Sequence, residues 1–96
     1  MNTSRQFEGK IAIVTGSTQG LGEATARLFA ERGAAGIVIT GRHQERGEAV
    51  AADLESTACR TIFVRADMTS VSDCRAMVAA ADEAFGTVDI LVNSAG

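Results

Sequence analysis

Short apolar runs alternate with longer amphipathic stretches along the chain. The apolar runs, rich in Ile and Val, cover residues 10–15, 36–40, 61–65 and 89–93. Runs of this length without a polar alternation are typical of parallel strands buried on both faces. The stretches between them carry apolar residues at helical spacing and predict helices over residues 20–32, 44–55 and 71–85. The pattern therefore predicts the element order β-α-β-α-β-α-β.

Each predicted helix has one apolar face that should cover the sheet. In the first helix this face comprises Leu21, Ala24, Thr25 and Leu28, opposite Glu23, Arg27 and Glu31. In the second helix it comprises Val50, Ala51 and Leu54, with Gly47 on the same side. In the third helix it is a continuous stripe of Val71, Cys74, Val78, Ala81 and Phe85. Ser70 is the expected N-cap of the third helix and Gly86 its end.

Strands that alternate with helices through short connections indicate right-handed crossovers and a parallel sheet covered on both faces. We expect the strand order 3-2-1-4, which places the reversal of winding direction beside the first strand. The predicted fold class is α/β, a partial Rossmann-type doubly wound parallel sheet, with residues 1–96 forming the N-terminal part of a single domain.

Composition and charge exclude several function classes. The net charge is −3, Lys10 is the only lysine and no basic run is present, so nucleic acid is not an expected partner. No apolar run approaches the roughly 18 residues of a membrane span. The polar first ten residues do not resemble a signal peptide. Cys59 and Cys74 lack the spacing and the histidine partners of a zinc site. We expect free thiols, no metal and a cytoplasmic location.

The stretch T-G-S-T-Q-G-L-G, residues 15–22, joins the first strand to the first helix. Gly16 allows a sharp turn, Gly20 leaves room for a phosphate, and Gly22 lets the helix approach the sheet. Backbone amides at such a helix N-terminus bind anions. From the residues alone, both a phosphate-binding loop of a dinucleotide site and a purely structural loop are open interpretations. No Gly-Lys-Ser/Thr follows, which disfavours a mononucleotide P-loop.

The spacing of these glycines, together with N-S-A-G at residues 93–96, resembles the short-chain dehydrogenase/reductase family. The resemblance spans essentially the whole chain and implies NAD(P)-dependent oxidation or reduction of alcohols and carbonyls. It also implies a small-molecule substrate and a homo-oligomer for the complete enzyme. The loop part of the implied cofactor site comprises Gly16, Ser17, Thr18, Gln19, Gly20, Leu21 and Gly22.

The end of the second strand bears on the choice of cofactor. A carboxylate there would bind the ribose 2′-hydroxyl and select NAD, but the strand ends at Gly41 and Arg42 follows. A guanidinium can hold a 2′-phosphate by a charge-assisted fork, so we expect NADP(H) in preference to NAD(H). Gln19 weakens this expectation, because NADP-using relatives often carry a basic residue there. A solvated Arg42 without a ligand is the alternative, and His43 is expected to be an exposed loop residue rather than a catalytic base.

The resemblance implies further cofactor contacts at the ends of the third and fourth strands. Asp67 matches the acid that contacts the adenine, with Met68 packed beside the ring, although Asp67 could instead only cap the loop before the third helix. The wall that approaches the cofactor ribose matches Asn93, Ala95 and Gly96. Asn93 could also join neighbouring strands, and Ser94 departs from the second Asn of the family's motif.

The catalytic residues of this family, a Ser together with a Tyr and a Lys in Y-x-x-x-K, have no full counterpart here. The chain contains no tyrosine, and its single Lys10 precedes the first strand. We therefore expect no catalytic residues and no turnover from these 96 residues alone. The chain would then be the N-terminal, cofactor-binding part of a longer enzyme. The alternative is a stand-alone, non-catalytic dinucleotide-binding or sensing module.

Overall fold

A four-stranded parallel sheet forms the centre of the fold. The structure is a computed structural model that describes residues 6–94. Its elements are β1 (Ile11–Thr15), α1 (Gly20–Glu31), β2 (Gly36–Gly41), α2 (Gln44–Leu54), β3 (Arg60–Arg65), α3 (Val71–Phe85) and β4 (Ile90–Asn93). The strand order is β3-β2-β1-β4. The predicted Rossmann-type sheet is confirmed, and each predicted element ends within one residue of the observed one.

β1 and β2 occupy the centre of the sheet and are buried on both faces. Along β2, Ile37 and Ile39 pack with residues of α1 and α2, whereas Val38 packs with residues of α3. β1 runs parallel to β2 with Ala12 opposite Ile37. Its side chains alternate between the two faces in the same way: Ala12 and Val14 pack with residues of α1 and α2, and Ile13 packs with residues of α3. Because both faces of these strands are covered, their apolar residues run without interruption. β3 and β4 lie at the sheet edges and are partly exposed.

α1 packs on the sheet with a different face from the predicted one. Its buried residues are Gly22, Ala26 and Phe29. Of the predicted face, Leu21 is 78% exposed and Leu28 40% exposed. The reason is a close approach at Gly22, where a Cβ atom would collide with the carbonyl group of Gly16. A residue without a side chain must face the sheet at this point, and the helical period then sets the rest of the buried face.

Both ends of α3 are as predicted. The hydroxyl of Ser70 at the N-cap accepts a hydrogen bond from the amide of Asp73, with an N–O distance of 3.2 Å. At the other end Gly86 adopts a φ of +77°, a left-handed conformation that favours glycine. These caps define the length of the helix independently of how its faces pack.

The predicted apolar stripe of α3 is only partly buried. Ala81 lies in the core together with Met77, a residue that the predicted stripe omitted. Val71 and Val78, by contrast, are 68% and 50% exposed. They line a cavity of about 750 Å³ that Val88 borders from the chain segment after the helix. Apolar residues cover more than one side of this helix, so spacing alone could not decide which side faces the sheet.

α2 buries the predicted face, and its glycine has a packing role there. Gly47, Val50 and Ala51 are all buried. A Cβ atom added at Gly47 would overlap the aromatic ring of Phe63 on β3. The glycine therefore lets this ring lie directly against the backbone of the helix.

We expect Gly47→Ala to lower the free energy of unfolding by about 1–3 kcal/mol, because the added methyl group overpacks against Phe63. In a Phe63→Ala background the same substitution should instead raise it by about 1 kcal/mol, the usual advantage of Ala over Gly inside a helix. Urea unfolding of the four proteins in this double-mutant cycle measures both effects. Stabilisation by Gly47→Ala while Phe63 is present would contradict the packing role.

Candidate functional site

The carboxyl ends of the four strands meet at one edge of the sheet and border a cavity of about 730 Å³. This volume is within the range of roughly 300–1,000 Å³ found for ligand pockets. The β1–α1 loop and the ends of β2, β3 and β4 all line the cavity. α1 and α2 cover one face of the sheet and α3 covers the other, so the connections diverge beside β1. In open α/β sheets ligands bind at such a switch point.

The glycine residues of the β1–α1 loop expose its backbone to the cavity. Gly16 and Gly20 have φ angles of +63° and +59°, which favour glycine. A Cβ atom at Gly20 would meet no atom within 4 Å, so open space lies beside this residue. Gln19 is the N-cap of α1, but its side chain caps no amide of the helix. The first-turn amides of α1 thus lack a side-chain acceptor, and this arrangement fits a phosphate group.

Ser17 belongs to this loop but does not line the cavity. It is fully buried and forms reciprocal hydrogen bonds with Thr40 at the end of β2. The Ser17 amide donates to the Thr40 carbonyl at 3.0 Å, and the Thr40 amide donates to the Ser17 hydroxyl at 2.9 Å. The structure therefore places Ser17 behind the cavity wall, where it fastens the loop to β2.

Thr40 is a lining residue that sequence reasoning missed. It is fully buried, and its hydroxyl has no hydrogen-bond partner within residues 6–94. Threonine is common in strands, so the residue looked like an ordinary strand position. Thr40 differs from an ordinary strand residue only because its end of β2 borders the cavity, and this position depends on the tertiary structure.

The end of β4 is joined to β1 through the side chain of Thr15. The Thr15 hydroxyl lies 3.0 Å from Asn93 Oδ1 and accepts a hydrogen bond from the Ser94 amide at 3.1 Å. The Ser94 hydroxyl in turn donates to the Thr15 carbonyl. Asn93 thus has the strand-joining role, and both Asn93 and Ser94 also line the cavity. Ala95 and Gly96, predicted to continue this wall, lie outside the described residues.

The end of β3 contributes Asp67 and Met68 to the cavity. Oδ1 of Asp67 accepts hydrogen bonds from the amide and the hydroxyl of Thr69, at 2.9 and 2.7 Å. These bonds hold the pKa of Asp67 below its ordinary value, with smaller contributions from the charges of Arg42 and Arg65. Oδ2 of Asp67 has no hydrogen-bond partner within the described part of the chain. The loop-capping role is therefore present, and one carboxylate oxygen stays available for a ligand.

The end of β2 brings Gly41, Arg42 and His43 to the cavity. Gly41 is the last residue of the strand, and a Cβ atom there would lie 2.8 Å from Cγ2 of Thr18. Arg42 and His43 are both exposed, and His43 is the N-cap residue of α2. The predicted cofactor-selecting position and the glycine-containing loop therefore line the same cavity, with Gly41 packed against Thr18.

No helix within residues 6–94 is both long enough and apolar enough to cross a membrane. The same residues contain no group of three or more side chains placed to bind a metal ion. Cys59 and Cys74 are free thiols. Burial raises the pKa of the Cys59 thiol, which keeps it protonated and unreactive.

A sequence model of the short chain dehydrogenase family matches residues 10–96. The chain belongs to the short-chain dehydrogenase/reductase family. Members of this family bind a nicotinamide dinucleotide, and the cavity at the carboxyl ends of the strands is the candidate site for it in this short-chain dehydrogenase/reductase chain.

Three relatives illustrate the similarity. The (−)-isopiperitenol/(−)-carveol dehydrogenase of Mentha piperita, named as mitochondrial, is 40% identical over 96 residues, which are 100% of this chain and 36% of that protein. The cis-4-hydroxycyclohexanecarboxylate dehydrogenase of Sinomonas cyclohexanicum is 42% identical over 90 residues, 94% of this chain and 35% of that protein. The structure of L-sorbose reductase from Gluconobacter frateurii, complexed with NADPH and L-sorbose, has a TM-score of 0.89 and 36% identity, covering 97% of this chain and 35% of that one. The chain thus spans little more than a third of the length of these relatives.

The two glycines at the start of α1 should respond differently to substitution. We expect Gly22→Ala to lower the free energy of unfolding by about 3 kcal/mol, because its methyl group meets the backbone of Gly16 rather than a flexible side chain. Gly20→Ala should cost only about 1–2 kcal/mol, the strain of a left-handed backbone conformation. Urea unfolding measures both losses. A larger loss for Gly20→Ala than for Gly22→Ala would contradict the observed helix approach.

We expect Thr69→Val to raise the pKa of Asp67 toward its ordinary value, because the substitution removes the hydroxyl donor that is the largest cause of the lowered pKa. The lowered pKa means that ionised Asp67 stabilises the fold above the ordinary pKa, and that this contribution is lost as pH falls through the folded-state pKa. NMR titration of the Asp67 carboxyl carbon measures the change. Ser72→Ala removes a nearby hydroxyl that is not bonded to Asp67 and serves as the control. An Asp67 pKa that Thr69→Val leaves unchanged would rule out the hydrogen bond as its cause.

Proposed function

We propose that the complete protein is an NADP(H)-dependent oxidoreductase and that this chain provides its cofactor-binding part. A hydride would pass between the nicotinamide and the carbon atom of a carbonyl or an alcohol. The cavity residues would hold the adenine, ribose and pyrophosphate of the cofactor. The small-molecule substrate and the catalytic residues would belong to the part of the protein outside these 96 residues.

The choice of NADP(H) depends on the end of β2. Gly41 occupies the place where a carboxylate would bind the ribose 2′-hydroxyl of NAD. Arg42 is exposed beside it at the cavity, and no carboxylate within residues 6–94 forms an ion pair with it. A guanidinium group with unoccupied donors suits a 2′-phosphate, because it can form a charge-assisted fork. The relative L-sorbose reductase, whose structure contains NADPH, supports the same choice.

The other cofactor contacts are assigned from the cavity wall. The pyrophosphate would bind the loop amides beside Gly16 and Gly20, where the uncapped start of α1 favours an anion. The adenine would contact Asp67 and Met68, and the ribose would contact Asn93. In this assignment Asp67 uses Oδ1 for its loop and Oδ2 for the ligand.

A homo-oligomeric enzyme and a cytoplasmic location remain predictions from the sequence and the family resemblance. The name of the Mentha piperita relative includes a mitochondrial location, which differs from the predicted cytoplasmic one. The three relatives described above are enzymes by name, and no contact within residues 6–94 favours the non-catalytic module over an oxidoreductase.

We expect Gly41→Asp to lower the NADPH affinity of the complete protein at least about tenfold and to favour NADH. The new carboxylate would repel the 2′-phosphate of NADPH and accept a hydrogen bond from the 2′-hydroxyl of NADH. Fluorescence titration of the reduced cofactors measures both affinities.

Gly41→Asn is the matched control, because any side chain at this position crowds Thr18 whether or not it is charged. Equal losses of NADPH affinity for the Asn and Asp variants would assign the effect to size instead of charge. Tighter binding of NADH than of NADPH by the unaltered protein would overturn the proposed cofactor.

A further inference from the structure

A second guanidinium group lies beside the cavity, on the first turn of α2. Nη1 of Arg46 donates a hydrogen bond to Oε1 of Gln19, a residue 27 positions earlier in the chain. Gln19 lines the cavity from the β1–α1 loop, and Arg42 lines it from the end of β2. The contact therefore brings the Arg46 guanidinium to the edge of the cavity that Arg42 also lines.

The direction of α2 explains why Arg46 reaches this position. Arg46 is the third residue of the helix, and helical side chains lean toward the helix N-terminus. That end of α2 follows Arg42 directly and lies at the cavity, where its N-cap residue His43 is a lining residue. The side chain of His43 caps no amide, so the positive end of this helix also carries no side-chain cap. Positive charge from three sources thus collects beside the end of β2.

The charges on Arg42 and Arg46 are not neutralised by ion pairs. Arg27 pairs with Glu23 and Asp53, but within the described range neither Arg42 nor Arg46 pairs with a carboxylate. Two carboxylates lie on the neighbouring segments: Glu45 in the first turn of α2, and Asp67 at the cavity, whose pKa the charge of Arg42 helps to lower. Gln19 is neutral and engages only Nη1 of the Arg46 guanidinium, whose other N–H groups stay available.

We infer that Arg46 is a second ligand of the cofactor's 2′-phosphate, together with Arg42, and that Gln19 holds its guanidinium within reach. The role rests on the proposed use of NADP(H) and adds a residue that specifies this cofactor. Two guanidinium groups on one phosphate form more charge-assisted hydrogen bonds than one group can provide. The loss of Arg46 should therefore weaken binding of the 2′-phosphate without changing the contacts assigned to the rest of the dinucleotide.

The test compares adenosine 2′,5′-bisphosphate with adenosine 5′-monophosphate, two probes that differ only in the 2′-phosphate. We expect Arg46→Gln in the complete protein to weaken binding of the bisphosphate about tenfold or more, and to change binding of the monophosphate less than about twofold. Arg46→Lys, which keeps the charge but loses the planar fork, should give an intermediate loss. Arg60→Gln is the matched control, because Arg60 is an exposed arginine at the opposite end of β3. Isothermal titration calorimetry measures each dissociation constant, and thermal unfolding confirms that the variants are folded.

The outcomes separate this inference from the proposed function. If Arg42→Gln weakens binding of the bisphosphate but Arg46→Gln does not, the role of Arg46 is wrong and the NADP(H) proposal stands. If Arg46→Gln weakens the binding of both probes equally, the role is also wrong, because the effect of Arg46 is then not specific for the 2′-phosphate. If the unaltered protein binds both probes equally well, the cofactor proposal and the role of Arg46 fail together.

Discussion

The candidate site depends on how firmly the loop after β1 is held. On one side Ser17 joins the loop to Thr40 of β2 through two hydrogen bonds. The Ser17 amide donates to the Thr40 carbonyl, and the Thr40 amide donates to the Ser17 hydroxyl. On the other side Thr15, the last residue of β1, is tied to Ser94 just after β4. Between them Gly22 brings the start of α1 against the loop backbone. Amides bind an anion well only if they are already aligned before it arrives, and these three constraints align them.

The sheet could be predicted from the sequence because its signals are local and consistent. Ile37 to Ile39 in β2 are apolar without interruption, since the strand is covered on both faces, and parallel strands of this kind need helical crossovers. The order of the strands then follows from handedness and from the switch point beside β1. The same argument brings the strand ends together, which is why the sequence alone predicts Arg42, Asp67 and Asn93 at one edge of the sheet.

The buried faces of α1 and α3 could not be predicted in the same way. Hydrophobicity ranks Leu21 above Gly22, yet Gly22 faces the sheet because the carbonyl of Gly16 leaves no room for a Cβ atom. In α3 the spacing predicts Val71, Val78 and Ala81 on the buried face, whereas the residues buried in the structure are Met77 and Ala81. The helical spacing of apolar residues shows that a helix has an apolar face. Contacts with residues distant in sequence decide which of two such faces packs on the sheet.

The same limit applies to the charged rim of the cavity. Backbone topology determines where Arg42 lies, because it directly follows a strand, and the residue could therefore be interpreted from its position alone. Arg46 is an exposed residue of an ordinary helix, and its relation to Gln19 exists only once α2 has packed beside the β1–α1 loop. Long side chains on helices can thus complete a site whose backbone is defined by strand ends. In the proposed NADP(H) site, the neutral Gln19 does not argue against a 2′-phosphate, because Arg46 of the neighbouring helix would supply positive charge.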